Sequence, residues 1–261
     1  MTKSKSNVET VANEVVEMAG LDNTVHFVMQ SKGGAGKSIA SYLLAQHLKE
    51  QTQGDYLAFD TDPNNKTLTS YKSLNVTPIN LINERTEMID QSKFDILIEK
   101  IMSQESPSVI DTGSGEFINI VNYINTSSIL EILEEAGKTV YIHVIVNFGQ
   151  SMKDTLISFI TLLQNFPNAK YVIWKNEYYG YSETPLEEVK LIKDNANSIH
   201  GFVTLEKLNA DTHEKDFLSM IKQGLTFDDV ILDGKGDFGI INKSRLKKLK
   251  AVYLDQLSKL F

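Results

Sequence analysis

Short apolar runs alternate along this chain with segments in which apolar residues recur every three or four positions. The runs have the length and the valine, isoleucine and aromatic content of buried strands. They cover residues 25–29, 56–59, 107–110, 139–147, 171–174 and 199–205, with a possible short strand near 79–82. Strands that alternate with helices predict an α/β fold, with a mostly parallel central sheet and helices on both faces.

Helical spacing occupies the segments between and after these runs. It is found at 39–49, 94–101, 156–163 and from 244 to the end of the chain. Before the first strand, the same spacing is shown by Val8, Val11, Val15 and Met18. We therefore expect residues 1–22 to be an N-terminal extension, either a short helix or disordered. We expect residues 23–261 to form a single domain.

The composition narrows the possible functions. The chain has 261 residues, 41% of them hydrophobic, and a net charge of −8. It contains no cysteine, which excludes disulfides, thiolate metal sites and cysteine nucleophiles. No apolar run approaches the roughly 18 residues of a membrane-spanning helix, and the first residues lack the apolar core of a signal peptide. We expect a cytoplasmic protein without stable membrane insertion.

The segment from Ser31 to Ser38 reads Ser-Lys-Gly-Gly-Ala-Gly-Lys-Ser and joins the first strand to the first helix. A strand, a glycine-rich loop that ends in Gly-Lys-Ser, and a helix are typical of a phosphate-binding P-loop. Glycines let backbone N–H groups approach phosphate oxygens closely, and the strict pattern has glycine where this chain has Ser31. Lys37 adds positive charge at the terminal phosphates, and the Ser38 hydroxyl can bind Mg²⁺. The expected nucleotide contacts are Gly33, Gly34, Ala35, Gly36, Lys37, Ser38 and Ile39.

Two carboxylates, Asp60 and Asp62, follow the second strand in the string Asp-Thr-Asp-Pro-Asn-Asn. In an open parallel sheet, ligands bind beyond the carboxyl ends of the strands. The same residue types are also typical of a simple turn. Their position after a P-loop unit favours a functional role.

Asp111 follows the strand at 107–110 and begins the string Asp-Thr-Gly-Ser-Gly. It fits the Walker B position, where a carboxylate reaches Mg²⁺ through water. The string also resembles the active-site loop of aspartic proteases, but those enzymes need two such carboxylates and this chain has one copy among alternating strands and helices. A strand-end turn is the third interpretation. We favour the Walker B position.

Asn176 follows the strand at 171–174, and its side-chain amide can both donate to and accept from an adenine edge. A turn asparagine would look the same. His143 lies in the middle of the longest strand, where we expect a core residue.

The last helix begins with the basic residues Lys243, Arg245, Lys247, Lys248 and Lys250. Three interpretations are open, in decreasing order of preference. The helix is docked on the domain with its lysines in water, it makes a weak non-specific DNA contact, or it lies on a membrane as a basic amphipathic helix.

The loop 32–38, the Asp60-Thr61-Asp62-Pro63 strand end and Asp111 occur in the order found in the ParA/MinD group of ATPases, which this chain resembles. Within that group, longer collinear strings make it similar to the TraL proteins of conjugative plasmids. The strings lie at 25–38, 60–67, 71–76, 172–176, 216–220, 225–228 and 245–247.

The resemblance implies a P-loop NTPase fold, a three-layer sandwich, and a role for single residues. Lys37 would bind the β- and γ-phosphates, and Ser38 would bind Mg²⁺. Lys32 would reach across a dimer to the partner's nucleotide. Asp62 would orient the attacking water, while Asp60 and Asp111 would support the Mg²⁺ shell.

The expected protein is a Mg²⁺-dependent dimeric switch that binds and hydrolyses ATP and acts in plasmid conjugal transfer. Its implied partners are a second copy across ATP and components of the transfer apparatus. One alternative is a nucleotide-gated module of plasmid partitioning that binds DNA or a protein with little hydrolysis. The other is a P-loop small-molecule kinase.

Overall fold

The apolar runs form one seven-stranded sheet in the computed structural model, which describes residues 20–62, 65, 67–81, 83 and 90–261. The strands are β1 (Thr24–Val28), β2 (Leu57–Asp60), β3 (Thr77–Pro78), β4 (Ser108–Asp111), β5 (Thr139–Asn147), β6 (Lys170–Asn176) and β7 (Ile199–Leu205). All neighbouring strands are parallel, in the order β3-β2-β4-β1-β5-β6-β7. The predicted parallel sheet is confirmed. The helix predicted from Val8, Val11, Val15 and Met18 lies outside the described residues.

Helices connect the strands and cover both faces of the sheet. They are α1 (Lys37–Gln51), α2 (Gln91–Met102), α3 (Phe117–Thr126), α4 (Ile129–Glu135), α5 (Met152–Asn165), α6 (Lys190–Asp194), α7 (Lys215–Lys222), α8 (Phe227–Ile231) and α9 (Ile240–Ser258). One apolar layer takes residues from α2 to α5, such as Phe94, Ile120, Leu133 and Phe159. The other takes residues from α1, α7, α8 and α9, such as Leu43, Phe217, Phe227 and Leu246. The three-layer α/β sandwich is therefore confirmed.

Two predicted boundaries are wrong. β3 lies just before the position predicted near 79–82, because its two residues pair with the last two residues of β2. α9 begins at Ile240 instead of 244. The reason is a local cap: the Gly239 N–H donates to Oδ1 of Asn242 at 2.9 Å, which fixes the start of the helix one turn earlier.

The strand order reverses at β1, which lies between β4 and β5. From β1 the chain passes through α1 to β2, on one side of β1. It reaches β5, on the other side of β1, later in the sequence. Such a reversal opens a crevice at the carboxyl ends of the strands, where ligands bind in open α/β sheets. In the strand register, Asp60 lies beside Asp111, and Val28 of β1 pairs with Asp111 on the other side. The P-loop and both aspartates thus meet at one edge.

His143 is a core residue, as predicted. It is fully buried, and its Nδ1 accepts a hydrogen bond from Nε1 of Trp174 at 2.9 Å. Its Nε2 lies 2.9 Å from Nδ1 of the buried His26. The ring of Phe261 packs edge-on against His26 at 4.7 Å. Phe261, which follows α9, therefore packs against β1 of the sheet.

Candidate functional site

The loop between β1 and α1 has a backbone that requires glycine at two positions. Gly34 has φ 71° and Gly36 has φ 109°, a region in which side chains are strained. A Cβ on Gly36 would also lie 3.0 Å from Nδ2 of Asn176. Gly36 is the N-cap of α1 and has no side chain to bond the first free N–H groups of that helix. The loop therefore presents backbone donors and the positive end of a helix dipole to an anion.

The position that departs from the strict P-loop pattern anchors the loop. Oγ of Ser31 lies 2.6 Å from Oγ of Ser158 on α5, and the Ser31 N–H donates to the same oxygen at 3.2 Å. Gln30 adds a bond from Nε2 to the Ile145 carbonyl at 2.6 Å. A glycine at position 31 could make only the backbone contact. Ser31 thus joins the P-loop to α5 and leaves the phosphate-facing glycines unchanged.

Lys37 is the first residue of α1, and only 7% of it is exposed. Burial lowers the pKa of its ammonium group, while the nearby carboxylates Asp111, Asp62 and Glu116 act in the opposite direction. A buried cation that faces three carboxylates is well placed to neutralise an incoming phosphate.

Asp111 is buried at the end of β4 and faces the first turns of α1. Its Oδ1 accepts a hydrogen bond from Oγ of Ser41 at 2.9 Å, and Ser38 also bonds to this carboxylate. Burial raises the pKa of Asp111 to about 7, and the neighbouring Asp60 adds to the increase. Ser38 and Asp111, the two residues expected at the Mg²⁺ site, therefore lie side by side.

Asp60 and Asp62 have different surroundings. Oδ2 of Asp60 accepts bonds from the N–H and the hydroxyl of Thr69, each at 3.0 Å, and burial raises its pKa. The other oxygen, Oδ1, accepts from the Asp62 N–H at 3.2 Å. Asp60 thus shapes the loop that carries Asp62. Oδ1 of Asp62 accepts from the Asn65 N–H at 2.8 Å, and the residue is half-buried near Lys37.

Glu116 is an additional carboxylate of the site that sequence reasoning missed. It is 8% exposed, and burial raises its pKa. A Cβ on Gly113 would lie 2.0 Å from its Oε2, so a larger residue at this position would force the Glu116 carboxylate to move. The residue follows Asp-Thr-Gly-Ser-Gly directly, but its inward position depends on where α3 begins, which the sequence pattern did not indicate.

A cleft beside the P-loop lies where a nucleotide base would be expected. Its wall includes Gly36, Ile39, Asn176, Tyr178, Leu205, Glu206, Phe217 and Tyr253. Asn176 is buried, its Nδ2 donates to the Ala35 carbonyl at 2.9 Å, and its Oδ1 accepts from the Tyr178 N–H at 3.1 Å. Tyr179 donates its hydroxyl to the Gly34 carbonyl at 3.1 Å. The asparagine therefore holds the P-loop in place, and reading of a base by its amide stays a prediction.

Lys32, the second lysine of the loop, points away from the phosphate cradle. Its Nζ donates to Oδ2 of Asp154 on α5 at 3.2 Å, and both side chains are about half exposed. Gln150, Ser151 and Tyr179 line the same shallow depression. Lys32 is thus accessible at the edge of the site.

The basic start of α9 divides into two groups. Arg245 binds Asp216 at 2.6 Å, and Lys250 binds Glu50 at 2.9 Å and Asp228 at 2.8 Å. For Lys243, Lys247 and Lys248, no carboxylate among the described residues lies within ion-pair distance. The apolar face of the helix is buried through Leu246, Leu249, Tyr253 and Leu257. The docked-helix interpretation is therefore confirmed for this face.

The residues of the site fit a nucleotide with Mg²⁺. Within the described part of the chain, no three carboxylates or histidines cluster as a complete metal site. Mg²⁺ usually takes one or two protein ligands and completes its shell with water and phosphate oxygens. Ser38 beside Asp111 suits that arrangement, and the glycine cradle suits the phosphates.

The described residues contain no helix that is long and apolar enough to cross a membrane.

The chain matches no protein-family model. It is 32% identical over 237 residues to a protein TraL of Escherichia coli, and the match covers 89% of this chain and 96% of that protein. A second TraL protein of Escherichia coli matches with the same identity and coverage.

Solved structures share the general arrangement at low identity. MinD cell division protein of Aquifex aeolicus matches with a TM-score of 0.47 and 15% identity, over 87% of this chain and 96% of that one. A putative plasmid partition protein of Borrelia burgdorferi bound to AMPPNP matches with a TM-score of 0.47 and 14% identity, over 91% and 99%. At these values the fold assignment rests on the sheet topology described above.

Proposed function

The chain belongs to the TraL family, and from this premise we propose that it is a Mg²⁺-dependent ATPase. It acts as a dimeric switch in plasmid conjugal transfer, in the cytoplasm, with a component of the transfer apparatus as its partner. The observation that carries the proposal is the buried Lys37 at the start of α1, between the glycine cradle and the carboxylates Asp111, Asp62 and Glu116.

The residues of the chain would divide the work. The N–H groups of Gly33 to Ser38 and the ammonium of Lys37 hold the β- and γ-phosphates. Ser38 and Asp111, with Asp60 behind them, hold Mg²⁺ directly or through water. When bound, the metal neutralises charge on the phosphates. Asp62 is half-buried near Lys37 and orients a water for attack.

Lys32 has a separate role in the proposal. It lies outside the cradle and is about half exposed, so it can enter the nucleotide site of a second copy. Hydrolysis would then depend on dimerisation, because the charge that completes the site comes from the partner.

Two alternatives predict different behaviour. A nucleotide-gated module would bind ATP with little turnover, although the position of Asp62 favours hydrolysis. A small-molecule kinase would need an acceptor beside the γ-phosphate. The cleft next to the P-loop is apolar and lies on the side of Asn176, where a base fits better than an acceptor.

Release of phosphate from MgATP by the purified chain alone tests the proposal. We expect slow, Mg²⁺-dependent release that Asp62→Asn reduces at least about tenfold with nucleotide binding retained. Asp255→Asn, which removes an exposed carboxylate on α9 outside the cradle, serves as the control. Turnover that requires an added acceptor would identify a kinase, and tight binding without any release would identify the gated module.

A further inference from the structure

The carbonyl groups and the N–H groups of the P-loop backbone have different surroundings. The Gly34 carbonyl accepts a hydrogen bond from the Tyr179 hydroxyl at 3.1 Å. The Ala35 carbonyl accepts one from Nδ2 of Asn176 at 2.9 Å. The N–H groups of residues 33–38, in contrast, make no hydrogen bond with any residue that the structure describes. The loop is therefore held by its carbonyls, while its donors stay free for an anion.

The two carbonyl contacts fix the direction of two N–H groups. In a planar trans peptide, the C=O of one residue and the N–H of the next residue point in opposite directions. The Gly34 carbonyl therefore sets the direction of the Ala35 N–H, and the Ala35 carbonyl sets the direction of the Gly36 N–H. Because both carbonyls are bonded to the segment that follows β6, both N–H groups point away from that segment.

Glycine makes the orientation of these peptides easy to reverse. Ala35 lies between Gly34, with φ 71°, and Gly36, with φ 109°. Glycine adopts positive and negative φ about equally, so a peptide beside it can turn over at little cost. A reversed peptide would present a carbonyl oxygen where an anion needs an N–H. A hydrogen bond from outside the loop stabilises the orientation in which the donor is free.

The tyrosine that supplies this hydrogen bond is itself fixed through its backbone. The N–H of the preceding residue, Tyr178, donates to Oδ1 of Asn176 at 3.1 Å. A Cβ on Gly149 would lie 3.0 Å from the carbonyl oxygen of Tyr179, so the turn rests directly on the connection between β5 and α5. The Tyr179 hydroxyl is thus held at the P-loop although the residue is 53% exposed.

We propose that Tyr179 is a positioning residue for phosphate binding. Its hydroxyl holds the peptide between Gly34 and Ala35 in the orientation that offers the N–H to a phosphate, and it touches no phosphate itself. The inference rests on the proposed function, because it requires the phosphates of a nucleotide in this loop. Tyr179 also lines the base cleft, so the competing role is a direct contact with the nucleoside.

Inorganic tripolyphosphate separates the two roles, because it has the phosphates of ATP and no nucleoside. Titration calorimetry in the presence of Mg²⁺ measures the Kd of tripolyphosphate and of ATP for the wild type and for Tyr179→Phe, which loses only the hydroxyl. We expect both affinities to fall by the same factor, about three- to tenfold, as for the loss of one hydrogen bond. In nitrogen–proton correlation spectra of the nucleotide-free variant, the resonance of the Ala35 amide should shift.

Tyr181→Phe is the matched control, since Tyr181 is 80% exposed two residues further along the same loop. It should bind both ligands as the wild type does, and both variants should keep the wild-type melting curve because the side chains are exposed. A fall in the affinity for ATP alone would assign Tyr179 to the nucleoside and overturn the inference. Unchanged affinity for both ligands would also overturn it and leave the proposed function standing. A wild type that binds neither ligand would overturn the proposed function together with this inference.

Discussion

Nζ of Lys32 lies 3.2 Å from Oδ2 of Asp154, so the P-loop lysine proposed to act on a second copy is paired within its own chain. The two side chains are 45% and 54% exposed. An exposed pair of this kind contributes little to stability, about 0–1 kcal/mol. It can nevertheless compete with dimerisation, because Lys32 must leave Asp154 before it enters the site of a partner.

Asp154→Asn should therefore favour the dimer. We expect the free energy of unfolding to change by less than about 0.5 kcal/mol. The protein concentration for half-maximal dimerisation with ATP should fall about two- to fivefold, because the competing pair is lost. Analytical ultracentrifugation measures the change. Lys153→Gln, one residue away and outside the pair, is the control, and an equal effect in that variant would assign the change to net charge.

Lys37→Ala should abolish nucleotide binding. The variant removes the buried cation of the cradle and leaves Asp111, Asp62 and Glu116 without their counter-charge, so affinity for ATP should fall at least about a hundredfold. Titration with a fluorescent ATP analogue measures this. Lys49→Ala is the matched control, since Lys49 lies at the other end of α1 and donates to the Ser73 carbonyl. Retained affinity for ATP in Lys37→Ala would show that this lysine does not bind the phosphates.

The nucleotide-free protein should become more stable when Asp111 is neutralised. The ordinary pKa of this carboxyl is 3.8, and burial raises it to about 7 in the folded chain. Between these values the folded state holds a proton that the unfolded state has released, so the contribution of Asp111 to stability falls as pH rises through this window. Asp111→Asn removes the ionisable group and with it this loss.

Urea unfolding of both proteins from about pH 4 to about pH 8 checks the prediction. The difference in unfolding free energy between Asp111→Asn and the wild type should grow with pH and reach on the order of 2–4 kcal/mol. Taking the difference cancels the titration of the other groups. A difference that does not vary with pH would mean that Asp111 ionises as readily in the folded chain as in the unfolded one.

His47→Leu should stabilise the protein, and more so in mild acid. His47 is fully buried on α1, and neither ring nitrogen has a hydrogen-bond partner among the described residues. Burial lowers its pKa from 6.5 to about 4, so its contribution to stability is lost as pH falls from 6.5 toward 4. We expect a gain of about 1 kcal/mol at neutral pH, because a buried unsatisfied polar group is removed.

Thermal unfolding at neutral pH and in mild acid measures the effect. His213→Leu is the control, since that ring is half-buried and bonded to the Thr212 hydroxyl at 3.1 Å. Loss of stability in His47→Leu would show that the ring nitrogens of His47 contribute favourable interactions.

The strands and much of the site could be predicted because their signals are local. Continuous apolar runs mark strands buried on both faces, and the glycine loop with Lys37 and Ser38 carries its chemistry in consecutive residues. The position of Asp111 beside Ser38 follows from a strand end and a strand order typical of such sheets.

Features that depend on contacts distant in sequence could not be predicted. Ser31 bonds to Ser158, and Lys32 pairs with Asp154, across more than a hundred residues. Glu116 is buried at the N-cap of α3, which begins at Phe117, a boundary that the sequence pattern did not indicate.

In the proposed ATP-dependent dimer, Lys32 acts in the nucleotide site of the partner. Light scattering coupled to gel filtration tests it most directly, with wild type, Lys32→Ala and Lys37→Ala, each with and without MgATP. We expect the wild type to shift from monomer to dimer with MgATP, Lys32→Ala to bind ATP but stay monomeric, and Lys37→Ala neither to bind nor to shift. A wild type that remains monomeric while saturated with MgATP, or a Lys32→Ala variant that dimerises and hydrolyses as the wild type does, would contradict it.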